Sequence, residues 1–373
     1  MRPSLKKAIG KIHLWLGLAS GLVVFVIAIT GCVYAFQEEI QNATQSYRFV
    51  EAQNKNFLPP SAFVQAAGKM LPAEKPHSVT YGAKDEAARV TFYRENFYYI
   101  VYLNPYSSEV LEVKDVSSSF FSWILDGHFY LWLPDDIGKP VVAIATLIFV
   151  VLMISGLILW WPRNKAAAKQ RFWFRWREST KWKRKNYDLH NILGFYAMWI
   201  GIIIALTGLV WGFQWFAKSA YWLTSGGEEM VEYYEPLSDT SVLASYDTVP
   251  YDVLWRKLSA ENPSAQSMEV HVPETDSSAI NIGINPDSDT YWKTDYRYFD
   301  QYTLKEMEVA HTWGKFENAS VASKIQRMNY DVHVGAIAGL AGKTLAFFIS
   351  LLIASFPVTG FMIWWGRKKA TAS

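Results

Sequence analysis

One cysteine, Cys32, stands in a chain of 373 residues, so no intrachain disulfide can staple it. No G-x-G-x-x-G or other nucleotide-binding fingerprint occurs, which excludes a resident nicotinamide or flavin domain of the usual kind. Charge is missing altogether from residues 13–37 and 190–214, and apolar runs of more than 20 residues without charge exclude an ordinary soluble core. Acidic residues are missing from positions 1–12 and reduced to Glu178 and Asp188 in positions 163–189. Of the 36 Lys and Arg, 17 lie in those two stretches and the Arg367-Lys368-Lys369 tail, leaving 19 against 32 acidic residues elsewhere. The net charge of +2 thus conceals a basic side and an acidic side, a pattern that argues against nucleic-acid binding and for a membrane protein with its basic loops in the cytoplasm. Ile29-Thr30-Gly31-Cys32 loosely matches a lipoprotein cleavage box. The apolar run before it is longer than a signal-peptide core, so Cys32 reads as a small apolar residue facing core or lipid.

What the chain does have is a stretch that occurs twice. A shift of 177 carries His13, Gly17, Thr30, Gly31, Phe36 and Gln37 onto His190, Gly194, Thr207, Gly208, Phe213 and Gln214 without a gap. A shift of 204 carries Gly138-Lys139, Gly156 and Trp160-Trp161 onto Gly342-Lys343, Gly360 and Trp364-Trp365. At 1.5 Å per residue each run reaches roughly 35 Å, enough for a bilayer core of about 30 Å. The expected organisation is two tandem parallel repeats carrying four transmembrane helices and two extracytoplasmic α+β modules, with both termini inside. Repeats of this kind place functional groups near the axis between them.

Taken in order, residues 1–39 are a cytoplasmic start and first helix, 40–138 a first outer module with an aromatic approach to the membrane, and 139–161 a second helix. Residues 162–189 form a basic cytoplasmic loop, 190–215 a third helix, 216–342 a second outer module, and 343–373 a fourth helix and tail. Within the outer modules, residues 60–72 and 251–262 read as helices. Residues 78–83, 88–93, 97–104, 267–273, 278–284 and 295–301 alternate apolar with polar positions between polar turns and read as strands.

Four of the seven histidines lie at membrane boundaries: His13 and His190 at the cytoplasmic ends of the first and third helices, His128 and His333 at the outer approaches to the second and fourth. Repeat-matched imidazoles at two depths suit two bis-histidine haems, His13 with His190 on the inner side and His128 with His333 on the outer side, so that haem iron is the metal all four would hold. Gly17, Gly21 and Gly194 leave room for a macrocycle or a close helix. Each histidine alone could simply reach interfacial water; packing does not call for an imidazole at all four positions. His77 and His271 read as ordinary surface or strand residues, and His311 as a weaker candidate for a substrate or metal contact.

The motifs His13-Leu14-Trp15-Leu16-Gly17, Leu125-Asp126-Gly127-His128, Gly156-Leu157-Ile158-Leu159-Trp160-Trp161-Pro162-Arg163, Leu189-His190-Asn191, His333-Val334-Gly335 and Gly360-Phe361-Met362-Ile363-Trp364-Trp365 resemble the PepSY-associated transmembrane family of iron-regulated bacterial membrane proteins. The outer strand-turn-strand segments look like PepSY modules; Asn104-Pro105 departs from the family's aspartate at that turn and Asp300 keeps it. The resemblance implies four membrane helices in the bacterial inner membrane, two b-type haems, and in characterised members reduction of ferric siderophores at the outer face. The expected function is therefore an oxidoreductase supporting iron uptake, surrounded by membrane lipid, taking electrons from a quinol or a separate reductase. Its chemistry would rest on the haems, with no further catalytic side chain. The competing expectation is a non-enzymatic, membrane-anchored interaction protein whose modules restrain an outer protease.

Overall fold

The computed structural model describes residues 3–95, 97–162, 164–242 and 248–371. Arg2 and Arg163, counted above among the cytoplasmic basic groups, lie outside the described residues. The chain divides into two compact units. One takes Met1–Gln37, Trp123–Ala217 and Val332–Ser373, the other Glu38–Ser122 and Lys218–Asp331.

The first unit is helical. Among the described residues four helices are long and apolar enough to cross a membrane: Ser4–Tyr34, Asp135–Trp160, Trp182–Gly212 and Ala336–Gly366. The first packs against the second and fourth, and the third against the second and fourth. Their contact faces are built from small and branched residues such as Val24, Ala28, Ala197, Ile353 and Ala354, while Leu22, Ile144, Trp199 and Phe348 point outward. That division suits helices whose outer surface meets hydrocarbon and whose close approach rests on small side chains.

The bounds of the spans differ from the sequence reading. The first helix begins at Pro3 rather than near residue 12, because hydropathy marks where a membrane begins and not where a helix does. The third span is not uniform. Trp182–Asp188 and Gly194–Gly212 are α-helical, and Leu189–Leu193 between them makes a π turn.

The second unit is α+β and, among the described residues, holds one antiparallel sheet of eight strands in the order β4-β3-β2-β1-β5-β6-β7-β8. The strands are β1 Ser78–Tyr81, β2 Ala88–Arg94, β3 Phe97–Leu103, β4 Val110–Asp115, β5 Ser267–His271, β6 Ile280–Asn285, β7 Asp295–Phe299 and β8 Glu306–Met307. To the sequence reading the structure adds a junction: strands β1–β4 come from the first outer segment, β5–β8 from the second, and the two halves pair into one sheet. β1 and β5 pair edge to edge, with Val79 opposite Val270 and Ser78 opposite His271. The physical reason is an edge problem: each half-sheet ends in a strand whose N–H and C=O groups need partners, and each supplies the other's. Helices Pro60–Met70 and Pro250–Glu261 cover the joined sheet, burying Phe63, Leu254 and Leu258 against Val79, Val90, Val270 and Ile282. Ser61 N–H and Oγ–H both donate to Asp252, at 2.9 and 2.5 Å, fastening one helix to the other.

Candidate functional site

All four boundary histidines lie in the helical unit, and each is seated the same way. His13 is well inside the first helix, with Nδ1 2.9 Å from Ser155 Oγ on the second. The Ser155 hydroxyl is placed to give its own hydrogen to the Leu152 carbonyl at 3.1 Å and so to accept from the imidazole. His190 Nδ1 stands 2.8 Å from Thr359 Oγ1, whose hydrogen goes to the Ser355 carbonyl at 3.0 Å. Asn186 Nδ2 donates to the Thr359 carbonyl at 3.0 Å and braces that segment.

The outer two are held by carbonyls as well. His128 Nδ1 donates to the Ile27 carbonyl at 2.8 Å and lies 3.2 Å from Thr30 Oγ1. His333 Nδ1 donates to the Ile204 carbonyl at 3.0 Å and lies 2.9 Å from Thr207 Oγ1. A carbonyl oxygen has no hydrogen to give. At His128 and His333 Nδ1 is therefore the protonated nitrogen and Nε2 carries the lone pair, the tautomer that a metal-ligating imidazole needs; His13 and His190 share it when the Ser155 and Thr359 hydroxyls keep their hydrogens on their own helices.

Glycines complete the seats. A Cβ on Gly31 would stand 3.1 Å from His128 Cε1, and one on Gly208 3.4 Å from His333 Cε1. On Gly156 and Gly360 the same atom would stand 3.4 and 3.3 Å from Cε1 of His13 and His190. Each imidazole thus rests on a hydroxyl-glycine dipeptide: Ser155-Gly156, Thr359-Gly360, Thr30-Gly31 or Thr207-Gly208. The hydroxyl fixes one ring nitrogen and the missing Cβ admits the ring edge. The shift of 177 that relates the helices also relates the Ile27/Thr30 and Ile204/Thr207 seats, and the shift of 204 relates Ser155 to Thr359.

Local backbone places the rings. Phe120–Tyr130 is a short helix that carries His128 and ends with Leu131 and Trp132 at φ of 56° and 57°. The Trp132 indole folds back onto Trp123, with ring centroids 4.7 Å apart and Nε1–H donating to the Trp123 carbonyl at 2.8 Å. A Cβ on Gly127 would fall 2.3 Å from the Trp132 ring, so the turn beside His128 requires glycine. His333 sits on Asn329–Val334, which closes at Gly335 with φ of 83°. His190 occupies the π turn, a geometry that aims a side chain off the regular helical repeat and recurs at functional sites.

The seats bring both expected pairs together. His128 and His333 have ring centroids 6.1 Å apart and planes inclined at 71°. Two imidazoles sharing one metal through nitrogen bonds of about 2 Å place their centroids about 6 Å apart. His13 and His190 line one cavity of about 470 Å³, within the roughly 300–1,000 Å³ of cofactor sites. Gly17, Gly21 and Gly194 line it too. Gly21 also admits Pro357, 3.2 Å from where its Cβ would be, whereas nothing lies within 4 Å of a Cβ on Gly194.

The remaining histidines are elsewhere. His77 and His271 flank the β1–β5 seam with ring centroids 5.0 Å apart, and His77 Nδ1 lies 3.2 Å from Glu274 Oε1. His311 is buried among the rings of Tyr233, Tyr234 and Tyr298. Its Nδ1 accepts from Trp313 N–H at 3.1 Å, so its Nε2 carries the proton. That is the opposite tautomer to His128 and His333 and makes Nε2 a donor.

What sequence reading missed was the seats rather than the histidines. A Ser or Thr immediately before Gly recurs at matched positions in all four spans, and that recurrence was the available signal. Comparison with known families gives one match, to the PepSY-associated TM region, over residues 11–367. No curated protein matches the chain.

Proposed function

The chain belongs to the PepSY-associated transmembrane family, and from that premise and the four histidine seats we propose an inner-membrane di-haem b-type protein that reduces ferric siderophores outside the cytoplasm. The observation that carries the proposal is the shared seat: four imidazoles, two with ring centroids 6.1 Å apart and two lining one cavity, each with Nδ1 engaged by a neighbouring helix and Nε2 left free of it. Such fixing of the distal ring nitrogen orients a ligand and raises its basicity. His13 and His190 would hold one haem, His128 and His333 the other. Haem so held supplies one-electron chemistry whose potential is tuned by its axial ligands, burial and surrounding hydrogen bonds.

The chain's own residues do the rest. Ser155, Thr359, Ile27 and Ile204 keep the rings from rotating, and the glycines beneath them let the helices close without displacing the imidazoles. Phe356, with its ring 5.7 Å from His190, and Trp211, 5.2 Å from His333, exclude water beside the seats. Basic loops inside and acidic segments outside set the orientation, with both termini cytoplasmic. Electrons would enter from a quinol or a separate reductase and leave to a ferric chelate, releasing ferrous iron.

The test uses vesicles with reductant on the cytoplasmic side and a ferric siderophore with a ferrous indicator on the other. Indicator colour should develop with wild type and fail with His13→Ala and His128→Ala alike. Equal colour from either variant would overturn a series path through both seats.

A further inference from the structure

The sheet unit contains a second cavity, of about 380 Å³, that the proposed electron path does not use. Its buried end is made of donors. His311 is 5% exposed, and Nε2, the protonated nitrogen, has no hydrogen-bond partner among the described residues. The Tyr234 carbonyl is near enough to favour the charged ring but makes no hydrogen bond with Nε2. Burial holds the imidazole below its ordinary pKa, and the positive Arg327 nearby acts in the same direction, so His311 is a neutral N–H donor at pH 7.

Arg327 lines the same cavity and is 2% exposed. Its guanidinium donates to the carbonyls of Thr312, Thr294 and Gly314 at 2.8, 2.9 and 2.6 Å. All three acceptors are neutral. The Asp295 carboxylate acts on it from a distance and is itself taken by Phe316 N–H at 2.7 Å. A guanidinium has five N–H groups, so a buried positive charge stands here with donors to spare. The carboxylates that line the cavity are otherwise occupied or solvated: Glu306 is held by Arg297 at 2.7 Å and Lys315 at 3.0 Å, and Glu228, Glu229 and Glu308 are exposed at its rim.

An orphaned buried N–H is costly, and a buried cation with no carboxylate in contact is more so. Both costs are relieved by one kind of visitor. We propose that this cavity binds the carboxylate of a small organic acid, its oxygen accepting from His311 Nε2–H with Arg327 supplying the opposing charge. The acidic rim suits a ligand whose far end is neutral or cationic, and disfavours a polyanion reaching outward. The site lies wholly within the sheet unit and does not depend on haem occupancy.

The experiment is calorimetric titration of the full-length protein in detergent with acetate, glycine and inorganic phosphate. It is paired with nitrogen NMR of ¹⁵N-histidine-labelled protein. Acetate and glycine should bind saturably and shift one protonated Nε2 resonance. His311→Phe, which keeps a ring and loses the donor, should weaken binding about tenfold or more, and His311→Gln, which keeps an N–H, should restore part of it. Saturable binding of phosphate but not of acetate or glycine would overturn the carboxylate assignment. Equal affinity in His311→Phe, or a resonance that responds to none of the three and only exchanges with water, would overturn the site.

Discussion

Thr359 Oγ1 lies 2.8 Å from His190 Nδ1 while its hydrogen is committed to the Ser355 carbonyl 3.0 Å away. With its hydrogen on Ser355 the hydroxyl receives from the imidazole, and Nε2 is left with its lone pair. Replacing Thr359 by Val keeps the shape and removes the acceptor. The expected result is a folded protein whose inner haem affinity falls about 10–100-fold, the usual cost of losing a partner behind a ligand. Haem titration of the purified variant checks this, and an affinity equal to wild type would show that the hydroxyl does not position His190.

Gly31 and Gly208 occupy equivalent seats but not with equal clearance. A Cβ would come within 3.1 Å of His128 Cε1 at the first and 3.4 Å of His333 Cε1 at the second. Both rings are held alike, His128 by Ile27 and Thr30 and His333 by Ile204 and Thr207, so neither has much freedom to retreat and the clearance is what differs. Gly31→Ala should disturb the outer haem spectrum more than Gly208→Ala. Equal or reversed effects in low-temperature absorption spectra would contradict the clearance argument.

Asp300 gives the sheet unit a dependence on acid. Burial alone would raise its pKa. The N–H groups of Asp239, Tyr302 and Thr303, donating at 2.6, 2.9 and 2.7 Å, outweigh burial and hold the carboxyl below its ordinary range. A carboxylate depressed in the folded state contributes stability that is complete above its unfolded value, about 3.9, and is lost as pH falls through the folded value. Unfolding free energy should therefore decline below about pH 4, and Asp300→Asn should flatten that decline while lowering stability at pH 7. A denaturant series across pH 2.5–7 reads both, and an unchanged acid limb in the variant would be the contrary result.

The four spans and most strands of this fold are legible in the sequence because burial leaves periodic traces: uncharged runs for the helices, alternation for β2, β3, β5 and β7. The seam between β1 and β5 is not legible. Antiparallel pairing of residues almost 200 positions apart depends on two exposed edges finding each other, and nothing in either strand's own pattern names its partner. The histidines stand out by position and by repetition, whereas the tautomer that makes them useful depends on hydroxyls from other helices. Thr30, Ser155, Thr207 and Thr359 look in sequence like ordinary helix residues bonding back to their own turn, which they also do. The π turn at His190 left no sequence signal, since Leu189–Leu193 opens the uncharged run without proline or glycine inside it.

Leu258 is fully buried beneath the joined sheet, among residues from both of its halves. Leu258→Ala should cost about 2–5 kcal/mol and lower the stability of the whole sheet unit as one transition. Two separate transitions, with only the second half weakened, would mean that the halves fold independently despite their shared strands.

The central claim is that four histidines form two haem seats, and the most direct measurement is a pyridine haemochrome count on the purified protein and its four His→Ala variants. The account predicts two b-type haems per chain in wild type. It predicts one in each variant, with His13→Ala and His190→Ala losing the same haem and His128→Ala and His333→Ala losing the other. A chain that binds no haem, or partners within a pair that lose different haems, would contradict it.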